Sequence, residues 1–199
     1  MAFFTEADRW SALAYLLGLE RVRAKKIPVG MVVCAQGASV LRSWLPEAMC
    51  AEPRFAIDPK EMHYDFRSPI YSQWNGPGFL YKRMFENLIP YSFSRAVWYQ
   101  GESDTGPGAA RYYGDMLAGM IGRWRSDLRD ADLPFTIVQI ADLDARCDDA
   151  WRGIQAAQLT VPGKCAGVNV VKTADISCTN DIHPPNKLPL AKRISSLQD

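Results

Sequence analysis

The chain has 199 residues, 48% of them hydrophobic and 23% charged, with a formal net charge of +1. This is an ordinary globular profile, of a length that fits one domain. A near-neutral balance without a basic or acidic block speaks against a nucleic-acid or membrane-surface binder, and no apolar run approaches the roughly 20 residues of a membrane span. Met1 to Arg9 contains Glu6 and Asp8 and lacks the basic and apolar regions of an export signal. By this chain the compartment is cytoplasmic. The five cysteines, Cys34, Cys50, Cys147, Cys165 and Cys178, are odd in number and form no C-x-x-C pair. No zinc site, other metal or cofactor is expected from them. They read as free thiols, or as one or two disulfides if the protein is exported.

From the N-terminus, Thr5 to Lys25 reads as a helix. Trp10, Leu13, Ala14 and Leu17 share one face, Leu16, Leu19 and Val22 widen it, and Thr5 is placed to cap it. The spacing predicts a well-buried helix that Pro28 stops. Val29 to Cys34 (VGMVVC) follows as an apolar strand, ending in a small-residue turn, Gln36 to Ser39. Val40 to Met49 is a short helical segment interrupted at Pro46. Residues 50–78 are proline- and glycine-rich and irregular, with a short helix expected near Pro59 to Met62. Their His63 reads as a surface or packing residue.

Phe79 to Leu88 returns to helical period. Ala96 to Tyr99 is an apolar, aromatic strand that breaks at Gln100-Gly101-Glu102-Ser103-Asp104. Arg111 to Leu128 is a strong helix with Tyr113, Met116, Leu117, Met120, Ile121 and Trp124 on one face; its three glycines either weaken it or permit close packing on the sheet. Phe135 to Ile140 is a strand, Ala150 to Leu159 a helix, and Gly167 to Val171 a strand. Thr173 to Asn186 is a long polar loop, and Leu188 to Leu197 a closing helix. Strands joined by helical crossovers imply a parallel sheet covered on both faces, an α/β fold.

Three loops follow predicted strands: Gln36 to Ser39, Gln100 to Asp104, and Asp175 to His183. In an open parallel sheet such loops share one edge, where ligands bind. A histidine beside a carboxylate, as in Asn180-Asp181-Ile182-His183, is the base-and-orienter half of a hydrolase triad. Gly37 and the Gln100 region are candidate donors to an oxyanion. Taken singly, Gln100 to Asp104 also reads as an ordinary polar turn and His183 as a cap of the last helix.

Trp98 to Asp104 (WYQGESD) resembles the WYQGES block of the sialate O-acetylesterase family, in the SGNH/GDSL hydrolase superfamily. Ile27 to Gly30, Gly37 to Trp44, Leu133 to Gln139 and Asp181 to Lys187 (DIHPPNK) resemble further family segments in the same order. The resemblance implies a three-layer α/β/α sandwich with a flavodoxin-like parallel sheet, and a serine esterase that removes O-acetyl groups from a sugar or glycan. By the same resemblance His183 is the general base. Asp181 is its acid, with Asp175 in reserve because the usual acid position holds Asn180. Gly37 donates to the oxyanion, and Gln100, Gly101 and Glu102 line the site. Ala38 and Arg42 depart from the family pattern. The family's nucleophilic serine belongs to a block before the first helix, and no Gly-Asp-Ser or Gly-Gln-Ser stretch occurs here. Ser11, Ser39 and Ser103 lie in other contexts. The expectation is thus one domain, N-terminally incomplete, whose first strand is absent. It is either an esterase short of its nucleophile or an inactive relative that binds carbohydrate or a partner chain completing the sheet.

Overall fold

The computed structural model describes residues 10–57, 72–106, 108–146, 148–177 and 180–197. The segment around Pro59 to Met62, His63, and the Thr5 cap lie outside these residues. Helix α1 spans Ala12–Lys25 and is capped by Ser11, whose Oγ accepts from the Ala14 N–H at 3.3 Å. It starts later than the periodicity predicts and is only half covered. Leu13 and Leu17 are buried, whereas Trp10 and Val22 are 50% and 42% exposed. The apolar face is wider than the surface available to receive it.

The expected strand at Val29 to Cys34 does not form. The segment carries no ladder, and Val32 and Val33 are 57% and 42% exposed. The physical reason is the lack of a neighbour: a strand is defined by pairing, and none of the three strands reaches this segment.

Beyond it, Leu41–Trp44 winds as a 3₁₀ turn, Pro46 opens the short helix α2 (Glu47–Cys50), and a second short helix, α3 (Phe79–Arg83), tightens into a 3₁₀ turn at Phe85–Leu88. Strand β1 (Ala96–Trp98) leads through a 3₁₀ turn at Glu102–Asp104 to α4 (Ala110–Leu128). Then come β2 (Phe135–Val138), α5 (Asp149–Thr160), β3 (Val168–Val171) and α6 (Leu188–Ser195). The strands form one parallel sheet in the order β1-β2-β3, with Ala96 opposite Phe135 and Phe135 opposite Val168.

Alternation along the strands splits the interior in two. On one face, Trp98, Phe135, Ile137 and Val168 meet α4 and α5 through Met116, Leu117, Met120, Ile121 and Ile154. On the other, Val138 and Val171 meet Leu13 and Leu17 of α1 and Leu190, Ala191 and Ile194 of α6. These are the helix–sheet–helix layers of an α/β sandwich. Every apolar residue predicted for the α4 face is buried. Burying such side chains contributes about 1.5–3 kcal/mol each, so packing outweighs the helix's three glycines at about 1 kcal/mol each. Gly114 is there for contact: a Cβ would lie 2.7 Å from Thr160 Oγ1 on α5. The close approach is to a neighbouring helix rather than to the sheet. Trp124 anchors the large core, stacked on Phe85 at 4.0 Å and donating from Nε1 to the Trp44 carbonyl at 3.1 Å.

Candidate active site

Past β1 the chain turns from apolar to polar at Gln100, and Gly101 makes the turn possible. Its φ is +154°, and a Cβ there would lie 2.8 Å from Ile140 Cγ2 and 3.0 Å from Ile154 Cγ2. Only glycine fits both the backbone and the space. The turn delivers Glu102, Ser103 and Asp104 at the carboxyl end of the sheet, where an open parallel sheet binds its ligands.

Gln100 is buried and fully engaged. Its Nε2 donates to the Ser39 carbonyl at 2.8 Å and to Asp104 Oδ2 at 2.6 Å, while Oε1 accepts from the Tyr113 hydroxyl at 3.1 Å. The side chain is a brace between two loops, with neither amide proton left for an oxyanion. Asp104 Oδ2 also accepts from the Leu41 N–H at 2.9 Å. Burial raises the Asp104 pKa to about 7, against the lowering effect of the Gln100 and Leu41 hydrogen bonds.

A third side chain completes this brace. Buried Asn75 accepts from the Val40 N–H through Oδ1 and donates from Nδ2 to the Ala38 carbonyl, both at 2.9 Å. Asn75 and Asp104 thus hold the loop after Gly37 from both sides. Neither is legible as a site residue in the sequence, because the backbone N–H groups they hold lie 35 and 63 positions away. The loop needs holding: Ala38 sits at φ +56°, a left-handed conformation that costs a residue with a Cβ. Gly37 beside it is exposed, and a Cβ added there would meet nothing within 4 Å. Room is left for a ligand to approach the backbone.

The last loop brings His183. Its backbone N–H donates to Asp181 Oδ1 at 2.7 Å, an Asx turn that shapes the loop. That carboxylate oxygen therefore engages the backbone of His183. Asp175 is exposed and bound through both oxygens to Arg193 at 2.8 and 2.7 Å. Glu102 lines the same cavity as His183, and the imidazole's charge acts on its carboxyl. Burial raises its proton affinity, and its own backbone N–H, His183 and Lys187 oppose that rise. Burial, with the Glu102 charge adding to it, lifts the Tyr99 hydroxyl to about 12.

Gly37, Glu102 and His183 line one cavity of about 1370 Å³. Gln100 also reaches its wall, whereas Gly101 packs behind it. Among the described residues no serine hydroxyl hydrogen-bonds to His183. Ser11 caps α1, Ser39 Oγ accepts from Trp44 Nε1 at 3.1 Å, and Ser103 lines the cavity wall. Among the described residues no three His, Cys, Asp or Glu side chains are grouped to hold a metal ion, and Cys34, Cys50 and Cys165 are free thiols.

A family model described as carbohydrate esterase, sialic acid-specific acetylesterase, matches residues 13–187. The chain belongs to this family. No curated protein matches it. Among solved structures it is similar to a carbohydrate acetylesterase from Xanthomonas citri, at 25% identity and a TM-score of 0.78. That match covers 94% of this chain and 40% of the other, so this chain spans less than half of that protein. A protein from Arabidopsis thaliana shares the fold at 24% identity and a TM-score of 0.50, over 62% of this chain and 53% of that one. Membership in an esterase family fits the polar loops gathered at one end of a parallel sheet.

Proposed function

We propose that this chain carries the base, carboxylate and oxyanion-binding parts of an esterase that removes acetyl groups from sugars. The observation that supports it is the meeting of the Gly37 turn, Glu102 and His183 in one cavity at the carboxyl end of the sheet. In this reading a serine outside the described site attacks the acetyl carbonyl carbon. His183 takes the hydroxyl proton as the new O–C bond forms, then passes it to the sugar oxygen as the old bond breaks. Water hydrolyses the acetyl-serine by the same route and releases acetate. Backbone N–H groups at Gly37 receive the oxyanion. Glu102 stabilises the imidazolium, and Asp181 sets the course of the His183 backbone. In this reading Glu102, which lines the same cavity as His183, stands beside Asp181 as the acid. The substrates that fit are O-acetylated sialic acid, for which the family is named, and other acetylated glycans such as xylan.

A second reading rests on the absence, among the described residues, of a serine hydroxyl hydrogen-bonded to His183: an inactive relative that binds the acetylated sugar. Acetate release from O-acetylated sialic acid, acetylated xylan and p-nitrophenyl acetate separates the two. The esterase reading expects turnover that His183→Ala abolishes. Turnover unchanged in that variant removes His183 from the mechanism, and sugar binding without turnover favours the second reading.

A further inference from the structure

The cavity that holds Glu102 and His183 is charged unevenly. The whole chain is nearly balanced, with 23 Lys and Arg against 22 Asp and Glu. Among the described residues, the charged lining is Arg21, Arg95, Arg146 and Lys187 against the single carboxylate of Glu102. Arg21 lies on α1. Arg95 precedes β1, at the end of the sheet away from His183, and donates to the Ile194 and Leu197 carbonyls at 3.2 and 3.3 Å. Arg146 follows β2 and Lys187 precedes α6, so these two belong to the end that carries the site. They bracket the turn that delivers Glu102. Just before the turn, Lys187 Nζ lies 5.2 Å from the centroid of the Tyr99 ring. Just after it, Arg146 Nη2 donates to Thr105 Oγ1 at 2.9 Å, and that hydroxyl donates its one proton to the Glu102 carbonyl at 2.8 Å. The guanidinium is also held from behind. Its carbon lies 5.5 Å from the centroid of the Trp151 ring, and its Nε donates at 3.3 Å to Asp148, the cap of α5, which does not line the cavity. Both cations are half-buried and each rests on an aromatic face.

We infer that Arg146 and Lys187 form a receptor for a carboxylate on the sugar, so that the site selects acidic acetylated sugars over neutral ones. A carboxylate suits the pair. A guanidinium presents N–H groups in a planar fork that matches two carboxylate oxygens, and an ammonium adds a compact point charge. A neutral sugar bound there would strip water from both cations and return no counter-charge, which costs free energy. Glu102 offers one negative charge to two cations, so an anionic ligand improves the balance of the closed site where a neutral one does not. That the ligand is a sugar rests on the esterase reading; that it is anionic rests on the two cations and the balance of the lining.

The test uses the whole 199-residue chain and ligands without an acetyl ester, so it needs no turnover. The probes are N-acetylneuraminic acid and glucuronic acid, each beside its primary amide, which keeps the shape and removes the charge. Binding is read by NMR titration of the backbone amides. The expected result is that an acid binds about tenfold more tightly than its amide, and that added NaCl narrows the gap. Arg146→Gln and Lys187→Gln are each expected to lower acid affinity about tenfold and to abolish the preference over the amide. Arg146→Lys keeps the charge without the fork and should retain part of the preference. Variants that weaken acid and amide alike make the two residues structural and overturn the receptor. Equal affinity of the parent chain for acid and amide, or binding of neither, overturns it as well. Should Arg146→Gln fail to fold, Lys187→Gln and the salt series on the parent chain read the same preference. A preference confined to N-acetylneuraminic acid supports the receptor and assigns the carboxylate to a sialic acid; one confined to glucuronic acid supports it and assigns a uronic acid. The acetate-release assay separates the two readings. Acid preference without acetate release leaves the receptor standing and counts against the esterase, whereas acetate release with equal affinity for acid and amide does the reverse.

Discussion

Asp104 gives the sharpest test of how the loop behind the site is held. Its carboxyl is fully buried, accepts from Leu41 and Gln100, and has its pKa raised to about 7. In the unfolded chain an aspartate titrates near 3.9. The folded state therefore holds this proton more tightly than the unfolded state does. Between about pH 4 and pH 7 folding must keep the proton, and each pH unit costs about 1.4 kcal/mol. The accumulated cost is on the order of 4 kcal/mol above pH 7, and it is absent below the unfolded pKa. Asp104→Asn keeps an oxygen able to accept from Leu41 and Gln100 and cannot ionise. Its amide brings buried donors, which cost about 1–3 kcal/mol at every pH. The expected result is a crossover. The variant is less stable than the parent near pH 4 and gains on it steadily, by on the order of 4 kcal/mol in relative terms, until pH 8. Urea unfolding of both proteins across that range measures it, with other titrating groups cancelling in the difference. A stability difference that stays constant from pH 4 to pH 8 refutes the assignment of a raised, buried carboxyl to this position.

Other expectations follow from the same geometry. Asn75→Ala strands the buried Val40 N–H and the Ala38 carbonyl, and is expected to lower unfolding free energy by about 2–4 kcal/mol in urea. Gly101→Ala forces a Cβ to 2.8 Å from Ile140 at a strained φ, and should cost about 2–4 kcal/mol with a lowered Tm; an unchanged Tm would contradict the turn described here. If Glu102 supports the imidazolium, esterase activity of the complete site rises with pH as Glu102 ionises, above the ordinary carboxylate range because burial raises its pKa. Glu102→Gln should lower kcat and erase that rise, and a pH–rate profile identical to the parent would remove Glu102 from the acid's role. Arg125 donates twice to the Leu133 carbonyl and once to the Ala166 carbonyl, so Arg125→Met should destabilise by several kcal/mol while leaving ligand binding in place.

Much of this was written in local sequence. The α4 face from Tyr113 to Trp124, the α5 and α6 helices, and the strands at Ala96, Phe135 and Val168 follow from periodicity, because a helix or a buried strand declares its covered side through residues three, four or two apart. The small-residue turn at Gly37 and the polar breaks at Gln100 and His183 are equally local, and a parallel sheet with helical crossovers then places them at one end. WYQGESD and DIHPPNK carried the family resemblance, and the family match over residues 13–187 agrees with it.

Tertiary structure alone decided the rest. VGMVVC has the composition of a strand and does not form one, since strand pairing is a property of two segments and this segment has no neighbour. The first helix reads as buried on a broad face, yet only Leu13 and Leu17 are fully buried, with Leu16 partly covered beside them. Asp181 stands beside His183 in sequence and one of its oxygens accepts from the His183 backbone N–H, while Glu102, some 80 positions earlier, is brought to the same cavity as the histidine. Asn75 and Asp104 look like ordinary loop residues until chain closure sets them against the backbone after Gly37. Local sequence fixes which face a segment must bury and where it must turn. What a buried polar group meets depends on contacts between segments far apart in the chain, and those exist only once the sheet has assembled.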